Sequence, residues 1–156
     1  MRVKISVNKF TYSDYLNIDP DPLIYDGLDI EPSSIRNLEV LDDRECDEII
    51  LDECLSYIPH QELGEYITNV SNKIRRGGKL IILATDSKKL CFDYYTGVID
   101  EETFNAKMFG DQSRPSLFKT SCLSISLLKE YVSERFKIEK IMNIDEYSFV
   151  LEIKVE

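Results

Sequence analysis

The first glycine of this chain is Gly27, and only 6 glycines occur in 156 residues. There is no GxGxxG run, so the usual signature of a nicotinamide-dependent dehydrogenase is missing. One histidine, His60, and four cysteines without CxxC spacing offer no cluster for zinc. Long apolar runs are lacking too. The strongest is Leu80 to Ala84, far short of the ~20 residues a membrane helix needs. Met1-Arg2-Val3-Lys4 opens into an alternating pattern and not into the apolar stretch of a secretory leader. The expectation is a cytoplasmic protein without membrane contact. Positive charge is scarce, with a formal net charge of −10. Such a chain repels a phosphate backbone, which argues against sequence-independent nucleic-acid binding. Lys88-Lys89 reads as a solvated pair after a strand.

Hydrophobic residues make up 43% of the chain and charged residues 31%. With its length, this fits one domain, residues 1–156, around one core. Val3 to Val7 alternates apolar and polar, as a strand does. Tyr15 to Asp19 reads as a second strand ended by Pro20 and Pro22, which cannot donate to a ladder. Tyr25 to Ile30 reads as a short third strand, and Ser33 to Leu38 as a turn of helix. Cys46 to Leu51 is a buried strand. Leu55 and Ile58 fit a short helix ended by Pro59. Leu63, Ile67, Val70 and Ile74 form one apolar helical stripe, followed by Arg75-Arg76 and Gly77 as a C-terminal cap. Lys79 to Ala84 is another core strand. Residues 86–119 are polar and aromatic, a lid-like connection with one helix near Glu101 to Lys107. Ser124 predicts an N-cap for a helix carrying Leu127, Leu128, Tyr131 and Val132. Phe136 to Ile141 and Tyr147 to Val155 read as an antiparallel hairpin. Cys54 and Cys122 read as small core residues, and all four cysteines as free thiols. The fold class is α/β: a Rossmann-like, mostly parallel sheet with helices on both faces, a C-terminal antiparallel hairpin and a shortened N-terminus.

Several of these segments resemble class I S-adenosylmethionine-dependent methyltransferases. Cys46-Asp47-Glu48-Ile49-Ile50-Leu51 and the later Ile74-Arg75-Arg76-Gly77-Gly78-Lys79-Leu80 are similar to that family's D-x-I strand and L-K-P-G-G-x-L turn. Asn17-Ile18-Asp19 and Met108-Phe109-Gly110-Asp111-Gln112 look like two further family segments. The resemblance spans nearly the whole chain. It departs at Ser6-Val7-Asn8, which stand where the family has Gly-Cys-Gly, and at Lys119, which stands where the lid often carries a histidine. About ten residues separate Val7 from Ile18, so the first crossover helix is reduced to a turn.

The resemblance implies S-adenosylmethionine as cofactor. It places Ser6, Val7 and Asn8 at the methionine part, Asp19 at the ribose hydroxyls and Asp29 at the adenine. Leu51, Asp52 and Glu53 fall at the fourth strand's end. It assigns no catalytic residue and no metal. His60 suits either a general base or, as the expected reading, a cap or surface role. Tyr94, Tyr95, Phe104 and Phe109 either line an acceptor pocket or form the lid's own core. The acceptor expected by an acidic surface is a small molecule, glycan or protein. The competing expectation is a non-catalytic binding or assembly module that has lost the cofactor. The shortened first link leaves Phe10, Tyr12 and Tyr15 to cover the strands. Either they do so or a second copy does, and a twofold homodimer is the expected arrangement.

Overall fold

A computed structural model describes residues 1–7, 10–19, 31–32, 38–113, 115–133 and 136–156. Among the described residues seven strands form one sheet: β1 (Arg2–Ser6), β2 (Leu16–Asp19), β3 (Glu31–Pro32), β4 (Cys46–Asp52), β5 (Ile74–Thr85), β6 (Lys137–Asn143) and β7 (Ser148–Lys154). Four α-helices among the same residues accompany them: α1 (Leu63–Lys73), α2 (Ser87–Tyr95), α3 (Glu101–Phe109) and α4 (Ile125–Ser133). The strand order is β3-β2-β1-β4-β5-β7-β6. The pairs from β3 through β5 are parallel, whereas β5–β7 and β6–β7 are antiparallel. This is the mostly parallel sheet with a terminal hairpin that the alternation implied. Tyr25 to Ile30 and 33–37 lie outside the described residues.

One face of the sheet is the main core. Val3, Ile49, Leu80 and Ile153 stand in one row across β1, β4, β5 and β7, and Ile5, Leu51, Ile82 and Leu151 in the next. All eight are fully buried. Leu63, Ile67 and Val70 of α1 and Leu128 and Val132 of α4 belong to the same cluster. Side chains alternate between faces along a strand, so Lys4, Ile50, Ile81 and Glu152 share the opposite face. That face is drier near β1, where Ile50 is 6% exposed, than near β7, where Glu152 is only half-buried.

The first link, which lacks room for a helix, is held by one side chain. Asn17 accepts from the Tyr12 amide at 3.0 Å and donates to the carbonyls of Tyr12 and Tyr15 at 3.0 and 2.9 Å. Tyr15 donates its hydroxyl to Glu48, and burial with that carboxylate pushes the phenol up to about 12. Tyr12 packs edge-on against Tyr15, while Phe10 stays 75% exposed.

Two sequence expectations change. Ile74 starts β5 and does not end α1, and the Arg75 to Gly78 segment bulges from the ladder between the Cys46 and Glu48 pairings. Gly78 is required there because a Cβ would lie 2.6 Å from Ile74 Cγ2 and 2.7 Å from the Asp47 carbonyl. The stripe through Ile74 therefore continued in register by coincidence: its side chain is buried from a strand. Second, Cys122 is exposed, 3.4 Å from Met108 Sδ, whereas Cys54 is buried as expected. No helix among the described residues is long and apolar enough to cross a membrane.

Candidate functional site

β2, β1 and β4 end at one level. Ile5 pairs with both Ile18 and Leu51, so the residues that follow, Ser6, Asp19 and Asp52, stand side by side. Neighbouring strands lie about 4.8 Å apart, so the three tips span roughly 10 Å. The carboxyl ends of parallel strands are where open α/β sheets hold ligands.

Asp19 is 2% exposed and Ser6 5% exposed. Asp52 keeps 14% of its side chain accessible. Leu51 points into the core, so only its backbone reaches the edge. Val7 follows β1 and is half-buried. Asn8 and Asp29 lie outside the described residues. His60 is exposed in a short 3-10 turn before α1. Among the described residues no group of three His, Cys, Asp or Glu side chains is arranged to hold a metal.

A residue that the alternation pattern concealed dominates this edge. Lys4 is fully buried, with its ammonium 3.1 Å from Asp52 Oδ2 and 3.3 Å from Ser6 Oγ. It also donates to the Phe10 carbonyl and lies 4.9 Å from the Tyr12 ring centroid. The signal was available: a strand flanked by parallel neighbours is covered on both faces, so a polar residue at its centre must find buried partners.

Glu53 turns out of β4 with φ 57 and donates its amide to the Leu83 carbonyl at 3.0 Å. Its carboxylate accepts from Thr85 Oγ1 at 3.1 Å and lies 3.7 Å from the Lys119 ammonium. Burial raises its pKa above the ordinary value of 4.5, against the opposing pull of Lys119 and Thr85. Burial, followed by the Glu53 charge, also raises the Tyr57 phenol. Lys119 arrives on the segment after the lid helices. That segment is docked by its amide to the Phe109 carbonyl at 3.0 Å and by the Thr120 amide to the Ser56 carbonyl at 2.7 Å. The lid position expected to carry a histidine thus brings a cation to the β4 carboxylate.

Because the folded state binds Glu53's proton more tightly than the unfolded chain does, this group's contribution is favourable at low pH. It is lost as pH rises from 4.5 through the raised folded value. Urea unfolding at stepped pH checks this. The wild type should lose stability across that window relative to Glu53→Gln, and parallel curves for the two proteins would remove the assignment.

The aromatic residues of the lid divide. Phe104 stacks on Tyr94 at 4.4 Å and meets Phe109 edge-on at 6.4 Å, beside a small cluster of Leu90, Met108 and Tyr147. Tyr95 is 89% exposed and belongs to neither that cluster nor the strand edge.

No family model and no curated protein matches the chain. Solved structures do. The PH0226 protein from Pyrococcus horikoshii aligns with a TM-score of 0.69 at 13% identity, over 99% of this chain and 81% of its own. A putative methyltransferase of Haloferax volcanii, solved with the Trm112 methyltransferase activator, aligns at 0.66 and 9% identity over 99% and 81%. The 1,6-didemethyltoxoflavin-N1-methyltransferase of Burkholderia thailandensis, solved with S-adenosylhomocysteine, aligns at 0.63 and 10% over 99% and 71%. The chain therefore shares the Rossmann-like fold of methyltransferases.

Proposed function

We propose that this domain binds S-adenosylmethionine at the ends of β1, β2 and β4 and methylates a small-molecule, glycan or protein acceptor. The observation that carries the reading is Asp19: a carboxylate 2% exposed at the tip of β2, level with Ser6 and Asp52. A buried carboxylate there suits the paired hydroxyls of a ribose, which donate to it. The charge at the edge also suits the cofactor. Asp52 lies 3.1 Å from the Lys4 ammonium, Glu53 lies 3.7 Å from that of Lys119 and Asp19 is buried at the neighbouring tip, an acidic edge suited to a cofactor that carries one net positive charge. The residues present fit the group.

When bound, the cofactor supplies an electrophilic methyl on a sulfonium. The chain's own contribution is position. Asp19 orients the ribose, and the backbone of Ser6 and Val7 borders the amino-acid part. Glu53, with its raised pKa and its place beside Lys119 and Thr85, is the group suited to orient an acceptor hydroxyl or amine. Holding the acceptor in line provides much of the rate in such chemistry.

One observation favours a second reading, a non-catalytic module. Lys4 already engages Asp52 and Ser6, and Ser6-Val7-Asn8 replaces the glycines that admit close backbone approach. Calorimetric titration with S-adenosylhomocysteine separates the two. The methyltransferase reading expects saturable binding with a Kd below about 1 mM. Absence of heat from folded protein at several millimolar ligand leaves the non-catalytic module standing.

A further inference from the structure

The opposite end of the sheet holds a cavity that the reading above does not use. It has a volume of about 410 Å³ and lies where β5 begins and β7 ends. β4 alone separates the two ends by seven residues, so this cavity is about 20 Å from Asp52. Its apolar wall is Ile74, Phe136 and Val155. Its polar side is Arg44, Arg76 and Asn72.

Neither guanidinium forms an ion pair, ring contact or side-chain hydrogen bond among the described residues. In a chain of net charge −10, two unpaired arginines at one cavity are unexpected. The neighbouring Arg75 is paired with Asp47 at 2.5 Å. Asp43, also in the lining, is held by Lys73 at 2.8 Å, and Glu156 completes the rim without pairing to either arginine. Arg44 is moreover in the left-handed region, φ 61, fixed by its amide on the Asn72 carbonyl at 3.0 Å. An arginine in that conformation carries backbone strain that a glycine would not.

We propose that this cavity is a second binding site, for a small phosphomonoester carrying an apolar or aromatic body. Planar guanidinium forks match phosphate oxygens in pairs. The carboxyl end of α1 and the acids of the rim repel an anion on one side. The charge therefore sits on Arg44 and Arg76, and the organic body lies against Phe136, Ile74 and Val155. The volume falls in the usual range for small-molecule sites, about 300–1,000 Å³.

Phenyl phosphate, inorganic phosphate, phenol and benzoate serve as probes in calorimetric titration of the full chain. Phenyl phosphate should bind, with each of the other three at least about tenfold weaker. Arg44→Gln and Arg76→Gln should each weaken phenyl phosphate by about tenfold. Both side chains are exposed, so unfolding midpoints should not move, and Lys129→Gln, on an exposed position of α4 outside the cavity lining, should leave binding intact. Equal binding of phenol or benzoate, no binding of phenyl phosphate at 5 mM probe (about fivefold above a 1 mM Kd), or arginine variants that bind like wild type would each overturn the proposal.

Discussion

Lys4→Met should remove about 3–5 kcal/mol of folding stability, the usual cost of breaking a buried ion pair from one side. The Lys4 side chain is fully buried and that of Asp52 is 14% exposed. The substitution takes from the Asp52 carboxylate a buried cation 3.1 Å away, and from the Phe10 carbonyl a donor. For a domain whose total stability is about 5–15 kcal/mol, that is roughly a fifth of the whole or more. Replacing both partners, in Lys4→Met with Asp52→Leu, should recover much of the loss, because neither member of the pair is then left without the other. Urea midpoints for the wild type, both single variants and the double variant close the cycle. If the double variant falls as far as the sum of the singles, Lys4 and Asp52 are not coupled.

Asp19→Ala should weaken S-adenosylhomocysteine binding by about 5- to 150-fold, the equivalent of losing one or two hydrogen bonds to a charged acceptor. The effect is expected to be large because the acceptor is buried, at 2% exposure. Asp19→Asn keeps the shape and half of the accepting capacity, so it should fall between wild type and Asp19→Ala. Circular dichroism confirms that each variant is folded before titration. Affinity unchanged in both variants would place the ribose elsewhere.

The strands other than β3 and the two core helices were legible because their side chains repeat with periods of two and about 3.6, and burial selects for that repetition. Val3 and Ile5, and Leu63, Ile67 and Val70, are read that way and lie in one cluster. α2 was not legible. It buries only Leu90 and Asp93, so it has no stripe; its signal was the cap, Asp86 accepting from the amides of Lys88 and Lys89. The end of α1 was misjudged because Ile74 kept the helical spacing while the chain had already turned into β5. Only the crowding around Gly78 reveals that turn. At the site, Asp19, Asp52 and Glu53 follow from their places after strands, whereas Lys4 and Lys119 do not. A lysine in an alternating pattern looks like a solvent-facing residue until the neighbours on both sides of its strand are known. Lys119 reaches Glu53 across 66 residues of sequence (119 − 53), a contact that spacing does not encode.

Backbone amide chemical shifts recorded during titration with S-adenosylhomocysteine test the central claim most directly. The account predicts saturable shifts at Ser6, Val7, Asp19, Asp52 and Glu53, with residues lining the distant cavity, such as Asn72 and Val155, unmoved. Shifts confined to that cavity, or none at the tips of β1, β2 and β4 under saturating ligand, would contradict it.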